Sequence, residues 1–162
     1  MLIALIPTIL FLIFLAYILT GPYWLPSISP AKAGVIWQEC EEIGTMPIET
    51  RLEVCFPDIS IKGHSTDRIP LKDVIHSPFT SVYSPSRLNG HLIFMEKLWN
   101  KFYINYLGRK MGPVYEYVAR EGCCENGYNW AYSGDDYYYF RGKRDGKFYW
   151  VMISIKPDIG SN

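Results

Sequence analysis

The sequence lacks the short motifs that mark the common enzyme classes. It contains no G-x-S-x-G, no H-E-x-x-H, no Walker loop and no G-x-G-x-x-G. Its three histidines, His64, His76 and His91, each adjoin Gly or Ser, which favours solvated loop positions over a general base. Asp135 and Asp136 follow a Ser-Gly pair, so they are better interpreted as turn residues than as an acid–base pair. We therefore predict no catalytic residue, no metal site and no cofactor.

Charge is missing from the start of the chain. Residues 2–20 carry no charged side chain and almost no polar group, and at about 1.5 Å per residue they reach roughly the 30 Å of a bilayer core. A cleaved signal peptide is the alternative, but no Lys or Arg precedes Lys32. We expect a transmembrane signal-anchor helix over residues 1–20, a Pro/Gly/Ser stalk over residues 21–34, and one extracytoplasmic domain over residues 35–162.

Excess charge of either sign is also absent. The chain has 16 basic and 16 acidic residues, all beyond the apolar segment, and its formal net charge is zero. Nucleic acid is excluded as a partner on this ground, because its phosphates require a basic surface. The membrane is the first partner that the sequence predicts, through the N-terminal helix. No N-x-S/T acceptor occurs, and this supports a bacterial inner-membrane protein whose domain lies in the periplasm.

Cysteine is scarce, with four residues in 162: Cys40, Cys55, Cys123 and Cys124. Three disulfide connectivities are possible. A bond between the adjacent Cys123 and Cys124 would span Cα atoms about 3.8 Å apart, below the usual range of about 4.4 to 6.8 Å. We therefore favour two bonds that join Cys40 and Cys55 to the 123–124 pair, with buried free thiols, a zinc site and a redox pair as alternatives. Disulfides persist mainly outside the cytosol, in agreement with a periplasmic domain.

The N-terminal half of the domain combines short strands with one helix. A strand begins at residues 35–37, and residues 52–56 alternate in the manner of a half-buried strand. Residues 63–90 predict a loop with one helical turn at 71–75. Residues 91–107 predict the main helix, ended by Gly108, although Phe102, Ile104 and Tyr106 also fit the start of a strand. The helix is predicted from apolar residues that recur at three- and four-residue steps, namely Leu92, Met95, Trp99, Phe102 and Tyr106.

The C-terminal third is typical of sheet. Residues 114–120 form a candidate strand, and Asp145-Gly146 supplies the turn of a hairpin between two β-rich runs. Residues 147–155 are apolar on both faces, which predicts a central strand. The fold class expected is α+β, with a transmembrane helix followed by a small antiparallel sheet on which one main helix packs.

Aromatic density is the feature that points to function. Ten of the 23 residues from Tyr128 to Trp150 are aromatic, and strand alternation predicts that some of these rings stay exposed. We expect a non-enzymatic binding protein that captures a protein partner, of the immunity or inhibitor type or as an accessory subunit of an envelope complex. The partner-binding candidates are Tyr128, Trp130, Tyr138, Arg141, Lys143, Arg144 and Lys147.

A glycan-binding or peptidoglycan-binding module is the alternative hypothesis. In this interpretation the rings of Trp130 and Tyr138 stack on sugars, and Asn129, Asp135 or Asp136 accept hydrogen bonds from sugar hydroxyl groups. A groove with converging rings and carboxylates would favour the sugar, whereas a flat face edged with basic residues would favour a protein.

Overall fold

A computed structural model describes residues 9–15, 27–42, 54–57, 69, 74, 80–119 and 131–155. Within these ranges the chain forms nine strands in two antiparallel sheets. Sheet A has the order β2-β3-β4-β5, and sheet B has the order β1-β9-β8-β6, with β7 also paired to β8. The strands are β1 (Val35–Glu41), β2 (Ser81–Leu88), β3 (His91–Leu98), β4 (Lys101–Tyr106), β5 (Arg109–Tyr115), β6 (Tyr117–Val118), β7 (Tyr132–Ser133), β8 (Tyr137–Arg144) and β9 (Lys147–Ile155).

The two sheets pack face to face over one main core. Alternate residues along each strand point inward, as the two-residue period of a strand requires. Sheet A contributes Ile93, Met95 and Ile104 among others, and sheet B contributes Phe140 and Val151. These side chains are at most 1% exposed, so the apolar inner faces hold the sheets together.

A second, smaller cluster covers the outer face of sheet B. Trp150, Met152 and Tyr139 point away from sheet A and pack against Phe56, which lies in the segment 54–57. A disulfide between Cys40 of β1 and Cys55 fixes this segment, with the two Cα atoms 5.6 Å apart. Sheet B is therefore buried on both faces in its middle rows.

Three hairpin turns explain how the strands follow one another. In each turn both central residues have positive φ, and in each the second is glycine, the pattern that suits tight hairpins. The pairs are Asn89-Gly90, Leu107-Gly108 and Asp145-Gly146. The hairpin predicted around Asp145-Gly146 is confirmed, as are the first strand at residues 35–37 and the interior position of residues 147–155 in their sheet.

The main helix predicted over residues 91–107 is wrong. These residues form the β3–β4 hairpin, in which Phe94 pairs with Asn105 and Met95 pairs with Ile104. Both faces of β3 are buried, so its apolar residues do not alternate cleanly with polar ones, and their spacing imitates a helix. The strand alternative noted for Phe102, Ile104 and Tyr106 is the one that the structure shows. The fold class is corrected accordingly from α+β to two packed antiparallel sheets.

The predicted transmembrane helix is also corrected. Among the residues that the structure describes, no helix is long and apolar enough to cross a bilayer. The inner-membrane localisation, which rested on the predicted helix, is withdrawn with it, and the membrane as a partner stays a prediction that the structure does not test. Further along the chain, Ile28 pairs with Met111 at the edge of β5.

Smaller differences concern the segments between the sheets. Val54 and Cys55 are helical, so the described part of the strand predicted at residues 52–56 is wrong. The loop predicted over residues 63–90 contains β2, whereas its predicted helical turn at 71–75 lies largely outside the described residues. The candidate strand at residues 114–120 corresponds to the end of β5 and to β6, and between these the chain passes from sheet A to sheet B.

Candidate functional site

Most rings of the predicted aromatic surface lie in the two cores. Tyr138 and Phe140 face sheet A and are at most 1% exposed, and Tyr139 and Trp150 lie in the outer cluster at 3% and 1%. The Tyr138 hydroxyl donates a hydrogen bond to the carbonyl oxygen of Ser84. Because its ring is buried, Tyr138 has no face on which a sugar could stack. Of the other candidates, Tyr128, Asn129 and Trp130 lie outside the described residues.

Three of the four predicted basic residues of the β8–β9 hairpin pair with glutamates that lie in β1 or directly after it. Each ion pair joins residues 99 to 106 positions apart in the chain, so no local sequence pattern indicates which residues pair. The pairs are Arg141–Glu42 at 2.6 Å, Arg144–Glu39 at 2.9 Å and Lys147–Glu41 at 2.9 Å. Arg141 and Arg144 each engage both carboxylate oxygens. The hairpin is therefore not an unneutralised basic patch.

Glu39 is the centre of a partly buried polar network between the sheets. Its carboxylate accepts hydrogen bonds from the Trp37 indole nitrogen, the Tyr115 hydroxyl and the Arg144 guanidinium. Burial and the adjacent Glu39 raise the pKa of Tyr115 well above its ordinary value. Burial acts to lower the pKa of Arg144, but Glu39 outweighs it, and the net shift is upward. The network keeps Tyr115 protonated and Arg144 charged, and it ties β1 to β5 and β8.

Lys143 and Arg141 lie beside rings on the outer face of sheet B. The Arg141 guanidinium is 4.5 Å and the Lys143 ammonium 5.7 Å from the centre of the Phe148 ring. Tyr117 of β6 meets the same ring edge-on, with 6.2 Å between centroids. This cation–π cluster is one described part of the predicted aromatic and basic surface that remains partly exposed.

Large apolar side chains of the two sheets are exposed mainly at one end. The four exposed in the described strands and turns are Trp99 (86%), Leu107 (43%), Val114 (37%) and Tyr117 (47%). Trp99 lies in the β3–β4 turn. Tyr115, the last residue of β5, pairs with Phe102 near the start of β4, so β5 ends beside this turn. The chain then enters sheet B, where Tyr117 pairs with Lys143. Trp99, Val114 and Tyr117 thus share one end, called here the Trp99 end, and Leu107 lies at the other.

The backbone of Trp99 is unusual as well. Its φ is +59°, in the left-handed region where the Cβ of an L-residue approaches the following carbonyl, at a cost of about 1 kcal/mol or more. Asn and Gly tolerate this conformation, whereas a bulky aromatic residue there is an outlier. Of the tryptophans that the structure describes, the most exposed therefore lies on a strained turn. Sequence reasoning missed this residue because the predicted helix placed Trp99 on a buried face.

A polar cluster on the outer face of sheet A was also missed. Glu96 is 2% exposed and accepts a hydrogen bond of 2.7 Å from the Thr80 hydroxyl. Asn105 is 5% exposed on the neighbouring strand, opposite Lys110 in the register. Burial lowers the pKa of Lys110, and the charge of Glu96 partly offsets this. Because Glu96 and Asn105 are buried, the cluster stabilises the sheet from outside rather than presenting reactive groups to solvent.

Residues suited to metal binding or acid–base chemistry are dispersed. No group of three or more His, Cys, Asp or Glu side chains that could hold a metal ion occurs among the residues described. His91 lies at the exposed start of β3, edge-on to Tyr106, and His64 and His76 lie outside the described ranges. Asp135 and Asp136 form the bend before β8, where their carbonyl oxygens accept from Asn89 and Ile155.

Comparisons with known proteins leave the geometry as the basis for a functional argument. No protein-family model, no curated protein and no solved structure matches the chain. The candidate sites are thus the Trp99 end and the outer-face cluster at Phe148, which differ in side-chain exposure, backbone strain and charge.

Proposed function

We propose that the chain is a non-enzymatic binding protein that captures a protein partner through the Trp99 end. The observation that carries this proposal is Trp99 itself, 86% exposed at the tip of a hairpin with φ of +59°. A bulky side chain at positive φ is one sign of a functional site, because its local cost is offset elsewhere. Leu107 shares this backbone strain, so what distinguishes Trp99 is its much larger exposed ring, 86% against 43% for Leu107.

The surroundings of Trp99 have the composition of a protein interface. Val114 and Tyr117 are exposed at the same end, and the adjoining Lys101 is also exposed. An exposed tryptophan with valine, tyrosine and lysine side chains exposed at the same end has the composition of interface anchors, in which a few large side chains supply most of the binding free energy. A protruding ring suits insertion into a pocket of a partner.

The test begins with affinity capture from extracts of the protein's own cells, followed by identification of the retained partner and its purification. The dissociation constant is then measured for the wild type, Trp99→Asn and Leu107→Asn. Leu107 is the matched control, because it is also exposed, also has positive φ (+55°) and lies at the opposite end.

We expect Trp99→Asn to weaken binding by about 30-fold or more, the effect of losing a hot-spot residue worth about 2 kcal/mol. Leu107→Asn should bind as the wild type does. Equal affinity for the wild type and Trp99→Asn would refute the proposed site. A loss of affinity in both variants to the same degree would also refute it, since the effect would then not be specific to the Trp99 end.

A further inference from the structure

The described sheet edges are not protected to the same degree. Exposed edges are sites of unwanted strand pairing, and proteins guard them with bulges, proline, short strands or covering segments. β6 and β7 have two residues each. β2 has a register shift between Tyr83 and Ser86, where Ser84 has positive φ, and Ala131 donates to the Ser84 hydroxyl.

β5 is guarded in the same way on its outer side. Its pairing with β4 shifts register between Phe102 and Ile104, opposite Gly112 with φ of +70° and Pro113. The backbone nitrogen of Ile28 donates to the carbonyl of Lys110 at 2.8 Å, so an additional segment covers part of this edge.

β1 has fewer of these protections among the described residues: a covering contact is made only at its first residue, where the nitrogen of Val35 donates to the carbonyl of Pro30 at 3.1 Å. Its seven residues, VIWQECE, contain no Pro, Gly or Lys, and all seven pair with β9 without a shift in register. The nitrogen of Glu42 donates to the carbonyl of Phe148, and hydrogen-bonded pairs alternate along an antiparallel ladder. The N–H and C=O groups of Gln38 and Cys40 therefore face β9, and those of Trp37, Glu39 and Glu41 face away. Within the described residues, no donor or acceptor meets these outward groups.

We propose that β1 is a self-association edge, on which β1 of a second copy of this chain pairs antiparallel about a two-fold axis. A two-fold arrangement lets each copy's outward N–H groups meet the other copy's outward C=O groups, so that one edge satisfies both. A register centred on Gln38 places Trp37 opposite the second copy's Glu39, and it places Val35, whose N–H is already bonded to Pro30 and whose C=O is open, opposite Glu41. It avoids the like-charge contact that a register centred on Glu39 would create.

The charges of β1 favour a second copy of this chain as the partner of the edge. A strand end that reads Glu-Cys-Glu-Glu would repel its own copy, but Glu39, Glu41 and Glu42 are each paired with a basic residue of the same chain. Two β1 edges therefore approach without a net charge on either, and the whole chain is formally neutral. The proposal is independent of Trp99, which lies on a hairpin of the other sheet.

The test uses residue-resolved amide hydrogen exchange on the full chain, held in one mild detergent because residues 2–20 are apolar, at several protein concentrations. Pairing through β1 predicts that the outward amides of Trp37, Glu39 and Glu41 become protected as concentration rises. The inward amides of Gln38 and Cys40 should be protected throughout. Fast exchange of the outward amides at every concentration would overturn the proposal, whether or not the chain associates elsewhere.

A matched pair of variants gives a second measurement by sedimentation. Glu41→Pro removes an outward donor without touching the ladder to β9, and Glu41→Ala removes the same side chain but keeps the donor. We expect the dimer dissociation constant of Glu41→Pro to exceed that of Glu41→Ala by about tenfold, since one edge hydrogen bond is lost in each copy. Equal constants in two folded variants would contradict the assignment of the edge.

Discussion

The Arg144 guanidinium donates two hydrogen bonds to the Glu39 carboxylate, at 3.2 and 2.9 Å, across 105 positions of sequence. This contact joins the tip of the β8–β9 hairpin to the edge strand β1. Arg144 was predicted from the sequence to bind a partner, but in this contact it joins two strands of the same chain. The side chains of Arg144 and Glu39 are 28% and 19% exposed, so the pair is partly shielded from water.

The first prediction compares this pair with an exposed one. Arg144→Met should lower the free energy of unfolding by roughly 1 to 3 kcal/mol, because the Glu39 carboxylate loses charged donors in a partly buried site. Lys147→Met breaks a pair whose side chains are 57% and 42% exposed, and it should lower the free energy of unfolding by less than Arg144→Met does, because solvent screens an exposed pair. Urea unfolding of both variants measures the difference. Equal losses would show that the Glu39 network adds no stability.

The second prediction concerns alkaline pH. Burial raises the pKa of Tyr115 and of Tyr138 in the folded chain, so above about pH 10 the unfolded chain ionises these phenols while the folded chain keeps their protons. Their stabilising contribution is complete below that pH, and the free energy of unfolding should fall as pH rises beyond it. Tyr115→Phe and Tyr138→Phe should each reduce the slope by about 1.4 kcal/mol per pH unit. Slopes unchanged in both variants would contradict the burial of these hydroxyls.

The third prediction concerns the disulfide. Non-reducing peptide mapping should recover Cys40 linked to Cys55, which are 15 positions apart. Replacing both by Ala should lower the free energy of unfolding by about 3 kcal/mol in the chain-entropy model for a loop of about this length. The favoured pairing of Cys40 and Cys55 with residues 123 and 124 is wrong in this structure. Recovery of a peptide that links Cys40 or Cys55 to that pair would reverse this conclusion.

The sequence was informative where local chemistry and tertiary structure agree. Asp145-Gly146 supplies two residues that accept positive φ, so the β8–β9 hairpin could be predicted from a dipeptide and its flanking apolar runs. Asn89-Gly90 carries the same signal for the β2–β3 hairpin and would have argued against a loop there. Gly108, interpreted as a helix stop, is instead the second residue of the β4–β5 turn.

The β3–β4 hairpin could not be predicted because its turn opposes local preference. Nothing in Trp99-Asn100 marks a break, and Trp99 adopts a conformation that its side chain disfavours. The helical spacing of the apolar residues therefore runs through the turn, and the sequence predicts one continuous helix. The ion pairs of β1 could not be predicted for another reason. Whether Glu39 meets Arg144 depends on the register of β1 on β9 and β8, which no local pattern specifies. Trp99, at which local sequence preferences fail to predict the backbone, is also the candidate binding residue.

The fourth prediction follows from that failure. Trp99→Asn should raise the free energy of unfolding by about 0.5 to 1 kcal/mol, because Asn accepts positive φ and the side chain it replaces makes little contact. Trp150→Ala, a change to a tryptophan that is 1% exposed, should lower it by about 3 to 5 kcal/mol. Chemical denaturation of the two variants measures both effects. A loss of stability in Trp99→Asn would mean that the indole is part of the fold.

The central claim is that Trp99 is retained for binding at the expense of stability. The most direct test is the affinity of Trp99→Asn for the captured partner, measured on the same preparation whose free energy of unfolding is known. We predict a variant more stable than the wild type that binds about 30-fold or more weakly, as loss of about 2 kcal/mol implies. A Trp99→Asn variant that binds the partner as tightly as the wild type would contradict the claim.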